Sequence, residues 1–526
     1  MSRLARTTVL AAAVLLLVVA GCTVGPNYKP PEIDFPEPFS SAQSIAVTTQ
    51  PTTRPKNVPP VDLARWWEAL QDPQLNSLIQ RALRSNFDVR IAAMRLQEAR
   101  STEIAITGGV VPGIGYTPGA DLSAAAGRGS GTNSTKGRIA SPLNSASNTT
   151  GLKEVTQIIG FDTGWEVDLF GRFHRIIEAA QADAAVAAEA RNGVLVSVIA
   201  DVVRNYISVR AFQYRLAVAR ENVEGQRRTY NLVQQRAQGF ISSDYELAIA
   251  ERQLASSLAR IAPLEAQLEA ARRRVAVLVG LYPEQLKHEL EQPVSLPATP
   301  PQVRPGMPVQ LIRRRPDIRQ AERQIAAATA RIGVATADLF PRLSVTAGAG
   351  IEGQGLGRTP EKDRYIYSVG PSLYWPFLDF GRLDAVVQSQ DFRTQEALLN
   401  YQRTIVQAVA EVDDALNNYA ADEDSLAQLG RAVSASQRAD VKVRQRFETG
   451  AANLLEVLDV ERQLFDLQDQ YAVTQENVIR DFISLYKSLG GGWEGYEAPA
   501  PPPPPRPALF AAFETDAHRP GPTTRP

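Results

Sequence analysis

The chain has 526 residues, and its 56 lysines and arginines are balanced by 57 aspartates and glutamates, which gives a formal net charge of −1. This balance provides no basic face for a nucleic acid, so we expect no nucleic-acid partner. A single cysteine excludes an intrachain disulfide, and the three histidines are far apart in the sequence. We therefore expect no metal site and no cofactor.

Residues 1–21 are predicted to be a secretory signal. Two basic residues, Arg3 and Arg6, precede an apolar run from Val9 to Ala20. A membrane-spanning helix needs about 20 apolar residues, so this run is too short to cross a bilayer and is typical of a signal peptide.

The end of this signal, VAGC (19–22), resembles the lipobox of bacterial lipoproteins. The resemblance implies cleavage before Cys22 and a covalent lipid on its thiol, which anchors a chain in membrane lipids without spanning them. Thr23, and not an aspartate, follows the cysteine. By the same resemblance this indicates the outer membrane. An ordinary signal peptide with a chance cysteine is the alternative.

Both ends of the mature chain are rich in proline. Residues 22–60 also contain many serines and threonines, and they are predicted to form a lipid-anchored, extended tether. Residues 494–526 include consecutive prolines at 501–505 and are predicted to form a disordered tail. The folded part is therefore expected between residues 61 and 493.

The body of the chain contains two copies of one sequence repeat. Asp88 matches Asp317 at a shift of 229, whereas Trp165 matches Trp375 at a shift of 210. The difference of 19 residues falls on a polar, glycine-rich and serine-rich stretch at 127–151, which is predicted to be an exposed loop. We predict two structural repeats, each with a helix, a β-hairpin and a long helical hairpin. They occupy residues 61–280 and 311–493, with an equatorial linker at 281–310.

Each repeat contains a long stretch without strong helix breakers. No proline occurs between Gly171 and Gln238, and apolar residues recur there at steps of three and four. This pattern predicts one continuous, coiled-coil-like helix of about 100 Å. Return helices are predicted after Gly239 and Gly450, and Pro263 is expected to kink or break the first of them. Two ordinary helical bundles are the alternative, although typical globular helices have about 8 to 20 residues.

Four segments rich in β-forming and aromatic residues are predicted to be strands, at 113–127, 155–171, 343–353 and 363–381. Four strands cannot close a barrel, since about eight are the practical minimum, and lipid does not tolerate open sheet edges. Insertion into a membrane therefore implies oligomerisation. Aromatic residues near the strand-to-helix junctions suit a membrane-interface girdle or, alternatively, the core of a soluble sandwich: Trp165, Tyr374, Trp375, Phe377 and Phe380.

Five motifs cover nearly the whole mature chain: WWEALQDPQLNSLIQRALRSNFDVRIAAMRLQEAR (66–100), WEVDLFGR (165–172), RRPDIRQAERQIAAATARIGVATADLFPRLS (314–344), FLDFGR (377–382) and LYKSLGGGW (485–493). With them the chain resembles the TolC-like outer-membrane factors, in the lipoprotein branch that serves resistance–nodulation–division pumps. The resemblance implies a mainly α-helical fold with a β-barrel part. It implies a homotrimer with a twelve-stranded outer-membrane barrel and a long periplasmic helical tunnel. Such a channel docks to a periplasmic adaptor and an inner-membrane pump.

The same resemblance places a periplasmic gate just after the second hairpin, on Leu455, Asp459 and Arg462. At spacings i, i+4 and i+7 these residues share one helical face. In a trimer, Asp459 would recur around the axis as a cation-binding or repulsive ring, and Arg462 of a neighbouring helix could pair with it. The first copy has Ile249 at the position of Asp459, so the two copies cannot share this role. A solvated helix face is the alternative.

Four glycines mark the ends of the long helices. Gly239 and Gly450 are predicted to adopt the left-handed conformation of a tight helical hairpin. The resemblance implies that these two hairpin tips contact the adaptor. Gly171 and Gly381 are predicted to be strand-to-helix hinges with an architectural role.

We expect no enzymatic activity. The segment GAGIEG (348–353) formally matches a dinucleotide-binding fingerprint, but no helix or βαβ unit is predicted around it. A lipid-anchored periplasmic adaptor and a structural coiled-coil lipoprotein are the alternative functions, but the first lacks paired aromatic strands and the second needs none. The exported substrate is not readable, and Met94 and Met307 alone do not support a soft-metal relay.

Overall fold

A computed structural model of the chain describes residues 23–31, 61–110, 156–239, 242–294, 296–297, 314–354, 365–494 and 496. The predicted signal segment, Cys22, the strand predicted at 113–127 and the loop predicted at 127–151 lie outside these residues. So do residues 32–60 of the tether, much of the linker and nearly all of the tail. The described part is mainly helical and contains one small sheet.

The helices come in two similar sets, preceded by a 3₁₀ helix at Leu63–Leu70. They are α1 (Pro73–Ser85), α2 (Phe87–Val110), α3 (Arg172–Gln238), α4 (Asp244–Ala259), α5 (Ile261–Leu278), α6 (Pro283–Lys287), α7 (Pro316–Ala337), α8 (Arg382–Glu448) and α9 (Leu454–Ser488). The strands are β1 (Thr156–Val167), β2 (Arg342–Gln354) and β3 (Tyr365–Tyr374). Within the described residues, no helix combines the length and the apolar character that a bilayer crossing requires.

The predicted long helices are confirmed. Both α3 and α8 have 67 residues, which corresponds to about 100 Å. Each begins directly after a glycine in the left-handed conformation, with φ 72° at Gly171 and 81° at Gly381. Glycine adopts this conformation without the steric cost that a Cβ atom would add. A sharp turn therefore separates each strand from its long helix.

The break predicted at Pro263 is also confirmed. The first return leg is divided into α4, which ends at Ala259, and α5, which begins at Ile261. Proline has no backbone N–H, and its ring clashes with the carbonyl four residues earlier, here that of Ala259. The second return leg has no internal proline and remains one helix, α9.

The three strands form an antiparallel sheet in the order β1-β2-β3. Trp165 lies opposite Val345, and Val345 lies opposite Pro371 in the third strand. The strands predicted at 155–171 and 363–381 are confirmed with shorter bounds, and the strand predicted at 343–353 is confirmed with one more residue at each end. The aromatic residues at the junctions are exposed, up to 97 % at Phe380. The alternative of a soluble sandwich core is therefore wrong for them.

The largest core cluster joins the two ends of the folded body. Trp66 is almost fully buried, and its ring stacks on Tyr486 with 5.8 Å between centroids. The glycines that follow α9 pass close by, since a Cβ atom at Gly491 would lie 2.6 Å from the carbonyl oxygen of Leu63. Truncation of a buried tryptophan costs about 3 to 5 kcal/mol. The WWEAL and GGGW motifs are thus two halves of one packing site.

Four helices form an arc in the order α2-α3-α7-α8. Helix α7 packs against both long helices, α3 and α8, whereas α2 packs mainly against α3. Because α2 and α7 are equivalent in the two repeats, as are α3 and α8, the contact between α3 and α7 joins one repeat to the next. In the described part of the chain, α2 and α8 are the two edges of this arc.

Candidate functional site

The predicted gate residues lie on the first turns of α9 and share one exposed face. The side chain of Leu455 is exposed, as are those of Asp459 and Arg462. Arg462 donates to Asp459 Oδ1 at 2.7 Å, and Gln463 donates to Asp459 Oδ2 at 2.7 Å. The carboxylate of Asp459 is therefore paired within its own helix, at spacing i, i+3. Whether it pairs between chains remains a prediction.

The two hairpin tips differ in backbone conformation. At Gly450 the prediction of a left-handed residue is confirmed, with φ 77°. The N–H of Ala451 donates to the carbonyl of Arg446 at 2.7 Å, which closes the end of α8 as a Schellman turn. At Gly239 the same prediction is wrong, because φ is −83°. Its N–H continues the helical pattern to Gln235, and the N–H of Ser242 donates to the carbonyl of Arg236 at 3.3 Å.

Arg236 holds the two tips side by side. Its guanidinium crosses from α3 to the end of α8 and donates to the carbonyl oxygens of Phe447 and Glu448, at 3.0 and 3.2 Å. The Phe447 carbonyl also accepts from the N–H of Gly450 at 3.1 Å. At this helix end the arginine adds two further hydrogen bonds and offsets the partial negative charge of the last carbonyls. The equivalent residue in the second copy, Arg446, instead donates to Ala451 of its own hairpin at 2.9 Å.

A buried carboxylate lies directly behind the gate face. Glu461 is 2 % exposed and accepts from Gln226 at 2.7 Å and Thr229 at 3.0 Å, both on α3. Arg444 of α8 completes the site at 2.9 Å and is held in turn by Asp440 at 2.9 Å. Burial raises the pKa of the Glu461 carboxyl, and the charge of Arg444 opposes this rise. One side chain thus ties α9 to both long helices.

A second unusual carboxyl lies further along α9. Burial and the neighbouring Asp422 of α8 raise the pKa of Asp481 to about 6. The Oδ2 atom of Asp481 is buried without a hydrogen-bond partner among the described residues. Two carboxyls that share one site cannot both ionise easily, so we expect this contact between α8 and α9 to weaken when Asp481 loses its proton.

The strand-to-helix glycines differ in what surrounds them. A Cβ atom at Gly171 would lie 2.6 Å from Thr23 Cγ2, since the N-terminal segment packs there. At Gly381 no described atom lies within 4 Å of such a Cβ atom. Both glycines make the predicted strand-to-helix turn, and only the first is covered.

Within the described ranges, no group of three or more His, Cys, Asp or Glu side chains is arranged to hold a metal ion.

The family model of the outer membrane efflux proteins matches residues 78–281 and 307–491, which is more than half of the chain. The chain belongs to the outer membrane efflux protein family.

Relatives of this efflux protein span nearly its full length. Nodulation protein T of Rhizobium leguminosarum bv. viciae is 29% identical over 513 residues, which cover 97% of this chain and 99% of that protein. The pyoverdine export outer membrane protein OpmQ of Pseudomonas aeruginosa is 30% identical, over 82% of this chain and 88% of that protein. The solved structure of the outer-membrane channel OprN has a TM-score of 0.77 at 31% identity, and covers 90% of this chain and 100% of that chain.

The family predicted from the five motifs is therefore confirmed. The chain is the outer-membrane component of an efflux system, and neither the adaptor nor the structural coiled-coil alternative is favoured. Sequence reasoning missed two residues of this efflux protein, Arg236 and Glu461. The repeat contained a signal for each, because Arg236 matches Arg446 and Glu461 matches Glu251 at the same shift of 210. The residues that Arg236 and Glu461 contact could not be predicted from the sequence.

Proposed function

We propose that this chain forms a homotrimeric channel, the passive exit duct of a tripartite efflux system. The observation that supports this most strongly is the open arc α2-α3-α7-α8. Inside the chain, the first repeat joins the second through α3 and α7. The same contact between α8 of one copy and α2 of the next would join chain to chain, and a head-to-tail contact of this kind generates a ring.

The two edges of the arc carry apolar side chains that suit this contact. On α2, Phe87, Ile91 and Met94 are exposed at spacings i, i+4 and i+7, so they form one stripe. On α8, the exposed apolar residues recur at heptad spacing, at Phe392, Leu399 and Val406. An exposed apolar stripe of this size on both edges indicates a partner. We propose that a second copy of the chain covers each stripe.

The sheet supports a membrane barrel built from several chains. Strands β1, β2 and β3 have 12, 13 and 10 residues, and about 9 to 11 residues cross an outer membrane when tilted. With the strand predicted at 113–127, each chain would supply four strands, and three chains would supply the twelve that the family resemblance implies. The exposed aromatic residues at the junctions would then lie at the membrane interface.

The two ends of the duct would have different roles. A lipid on Cys22 would anchor the chain in the outer membrane. The hairpin tips at Gly239 and Gly450 would contact the periplasmic adaptor, which links the duct to the inner-membrane pump. Leu455, Asp459 and Arg462 would narrow the periplasmic entrance until the adaptor docks. The duct itself performs no bond chemistry in this proposal.

Two measurements test the proposal. Purified outer membranes should give a trimer band that dissociates on heating, and the purified protein should conduct ions in planar bilayers. Leu399→Glu should reduce trimer yield and conductance, because it places a charge in the proposed contact. Gln407→Glu adds the same charge at an exposed position beside the stripe and should leave both unchanged. Recovery of a lipidated wild-type monomer in the soluble periplasmic fraction would overturn the channel proposal.

A further inference from the structure

The segment that follows Cys22 lies in a close-fitting site at the first strand-to-helix junction. Arg175 of α3 makes three hydrogen bonds to this segment. Its Nε donates to the carbonyl of Val24 at 3.2 Å. Its Nη2 donates to the carbonyl of Gly25 at 3.2 Å and to Asn27 Oδ1 at 2.7 Å. The Arg175 side chain is only 3 % exposed, and Glu178 balances its charge at 2.7 Å. A buried guanidinium with all these partners is a specific binding site for the segment.

The backbone of the segment approaches its site as closely as glycine permits. The N–H of Val24 donates to the carbonyl of Phe170 at 3.2 Å. Gly25 has φ 86°, and a Cβ atom there would lie 2.6 Å from Gly333 Cα of α7. A Cβ atom at Gly333 would in turn lie 2.7 Å from Arg175 Cδ. We call this site, formed by Gly171, Arg175 and Gly333, the N-terminal dock.

The second repeat lacks the dock. The position equivalent to Arg175 is Ala385, at the shift of 210, and the position equivalent to Gly333 is Ile104, at the shift of 229. Ile104 is exposed, and Gly381 faces open space among the described residues. The dock is therefore not part of the shared architecture of the junctions. In the part of the chain that the structure describes, it occurs only at the junction beside which the N-terminal segment lies.

We propose that the N-terminal dock fixes the position of the lipid anchor. This inference rests on the proposed acylation of Cys22. Without the dock, the roughly 40 residues between Cys22 and the folded body could extend to about 130 Å. With the dock, the acylated residue is adjacent to Thr23, which packs on Gly171 between β1 and α3. The acyl chains and the strands thus enter the membrane at the same level, and Arg175 is the positioning residue.

Docking itself is measured with a nitroxide spin label. Lys29→Cys provides an exposed site, and acylation of Cys22 leaves it as the only free thiol. The label should be immobilised in the parent protein and become mobile in both Arg175→Ala and Gly25→Ala, the second of which changes only the tether. Arg331→Ala removes a nearby ion pair to Asp183 at 2.6 Å and should leave the label immobilised, as should Pro26→Ala. An immobilised label in both dock variants would overturn the proposal.

The role in lipid placement requires a second measurement. With the lipid, Arg175→Ala and Gly25→Ala should reduce the amount of assembled trimer in the outer membrane several-fold. When Cys22→Ala is exported with a non-lipoprotein signal peptide, the same two variants should have no further effect, because there is no anchor to place. An equal loss of trimer in both backgrounds would show that the dock only stabilises the fold, and it would overturn the proposal.

Mass spectrometry of the N-terminal peptide separates this proposal from the proposed acylation. An unmodified Cys22 in the parent protein would overturn lipid placement and acylation together. An acylated Cys22 with no dependence of assembly on the dock would overturn lipid placement alone.

Discussion

The guanidinium of Arg236 lies 4.5 Å from the ring centroid of Phe447 and donates to the carbonyl oxygen of the same residue at 3.0 Å. Arg236 belongs to the first helical hairpin and Phe447 to the second. Arg236→Ala removes a donor that two helix-end carbonyls share, and a hydrogen bond of this kind contributes about 0.5 to 1.5 kcal/mol net. We expect faster hydrogen exchange at both tips. Arg446→Ala, which breaks a contact within one hairpin, should affect the second tip alone.

Glu461 holds α9 against α3 and α8, so its removal should loosen all three. Glu461→Ala leaves Arg444 without one of its carboxylate partners and removes the acceptor of Gln226 and Thr229. Gln226 and Thr229 are buried, and a buried donor left without its acceptor costs about 1 to 3 kcal/mol. Denaturant unfolding of the purified protein will measure this loss. Glu251→Ala, at the exposed equivalent position in α4, is the matched control. Equal destabilisation by the two variants would contradict the assigned role.

The stability of the contact between α8 and α9 should depend on pH through Asp481. Its pKa rises from 3.8 when unperturbed to about 6 in the fold, so the folded state binds more protons than the unfolded state between these values. Stability therefore falls as the pH rises from about 4 to about 6, and the loss is complete above this window. Asp481→Asn should raise the melting temperature at pH 7.5 and have little effect at pH 4. Asp466→Asn makes the same change at an exposed position of α9 and is the matched control.

Asp459 tests the gate. Asp459→Ala removes a charge from the exposed face of α9 and frees Arg462 from its pairing, so we expect higher conductance in bilayers and greater antibiotic leakage in cells. Asp466→Ala removes a carboxylate two turns further along the same helix and serves as the control. Unchanged leakage in Asp459→Ala would remove this residue from the gate.

The long helices could be predicted because local chemistry sets their limits. The stretch from Gly171 to Gln238 contains no proline, and α3 occupies it from Arg172 to its end. The break before Pro263 follows equally from the missing N–H and the ring of proline. The limits of β2 could be predicted within one residue. Those of β1 and β3 were predicted too far towards the helices, since aromatic and β-forming residues continue into the junctions.

Contacts between distant residues could not be predicted, because two copies of one motif can meet different neighbours. Glu251 and Glu461 both begin an ERQL motif, yet the first is exposed and the second is buried against α3 and α8. Arg315, in the RRPDI motif, donates to Ser488 at 2.8 Å and Glu411 at 2.8 Å, far along the chain. The left-handed conformation predicted for Gly239 was wrong for a related reason, since glycine permits this conformation without requiring it.

The equal lengths of the helices limit how this protein can change in size. Both long helices have 67 residues, and the return legs Asp244–Leu278 and Leu454–Ser488 span equal numbers of positions. A seven-residue insertion in α3 alone would displace its tip by about 10 Å and carry Arg236 away from Phe447. A longer or shorter variant therefore needs the same step in four segments at once, in multiples that keep the apolar seam aligned. The length of this duct can therefore change only through coordinated insertions or deletions in all four segments. A single insertion or deletion in one helix should separate the two tips and be strongly selected against.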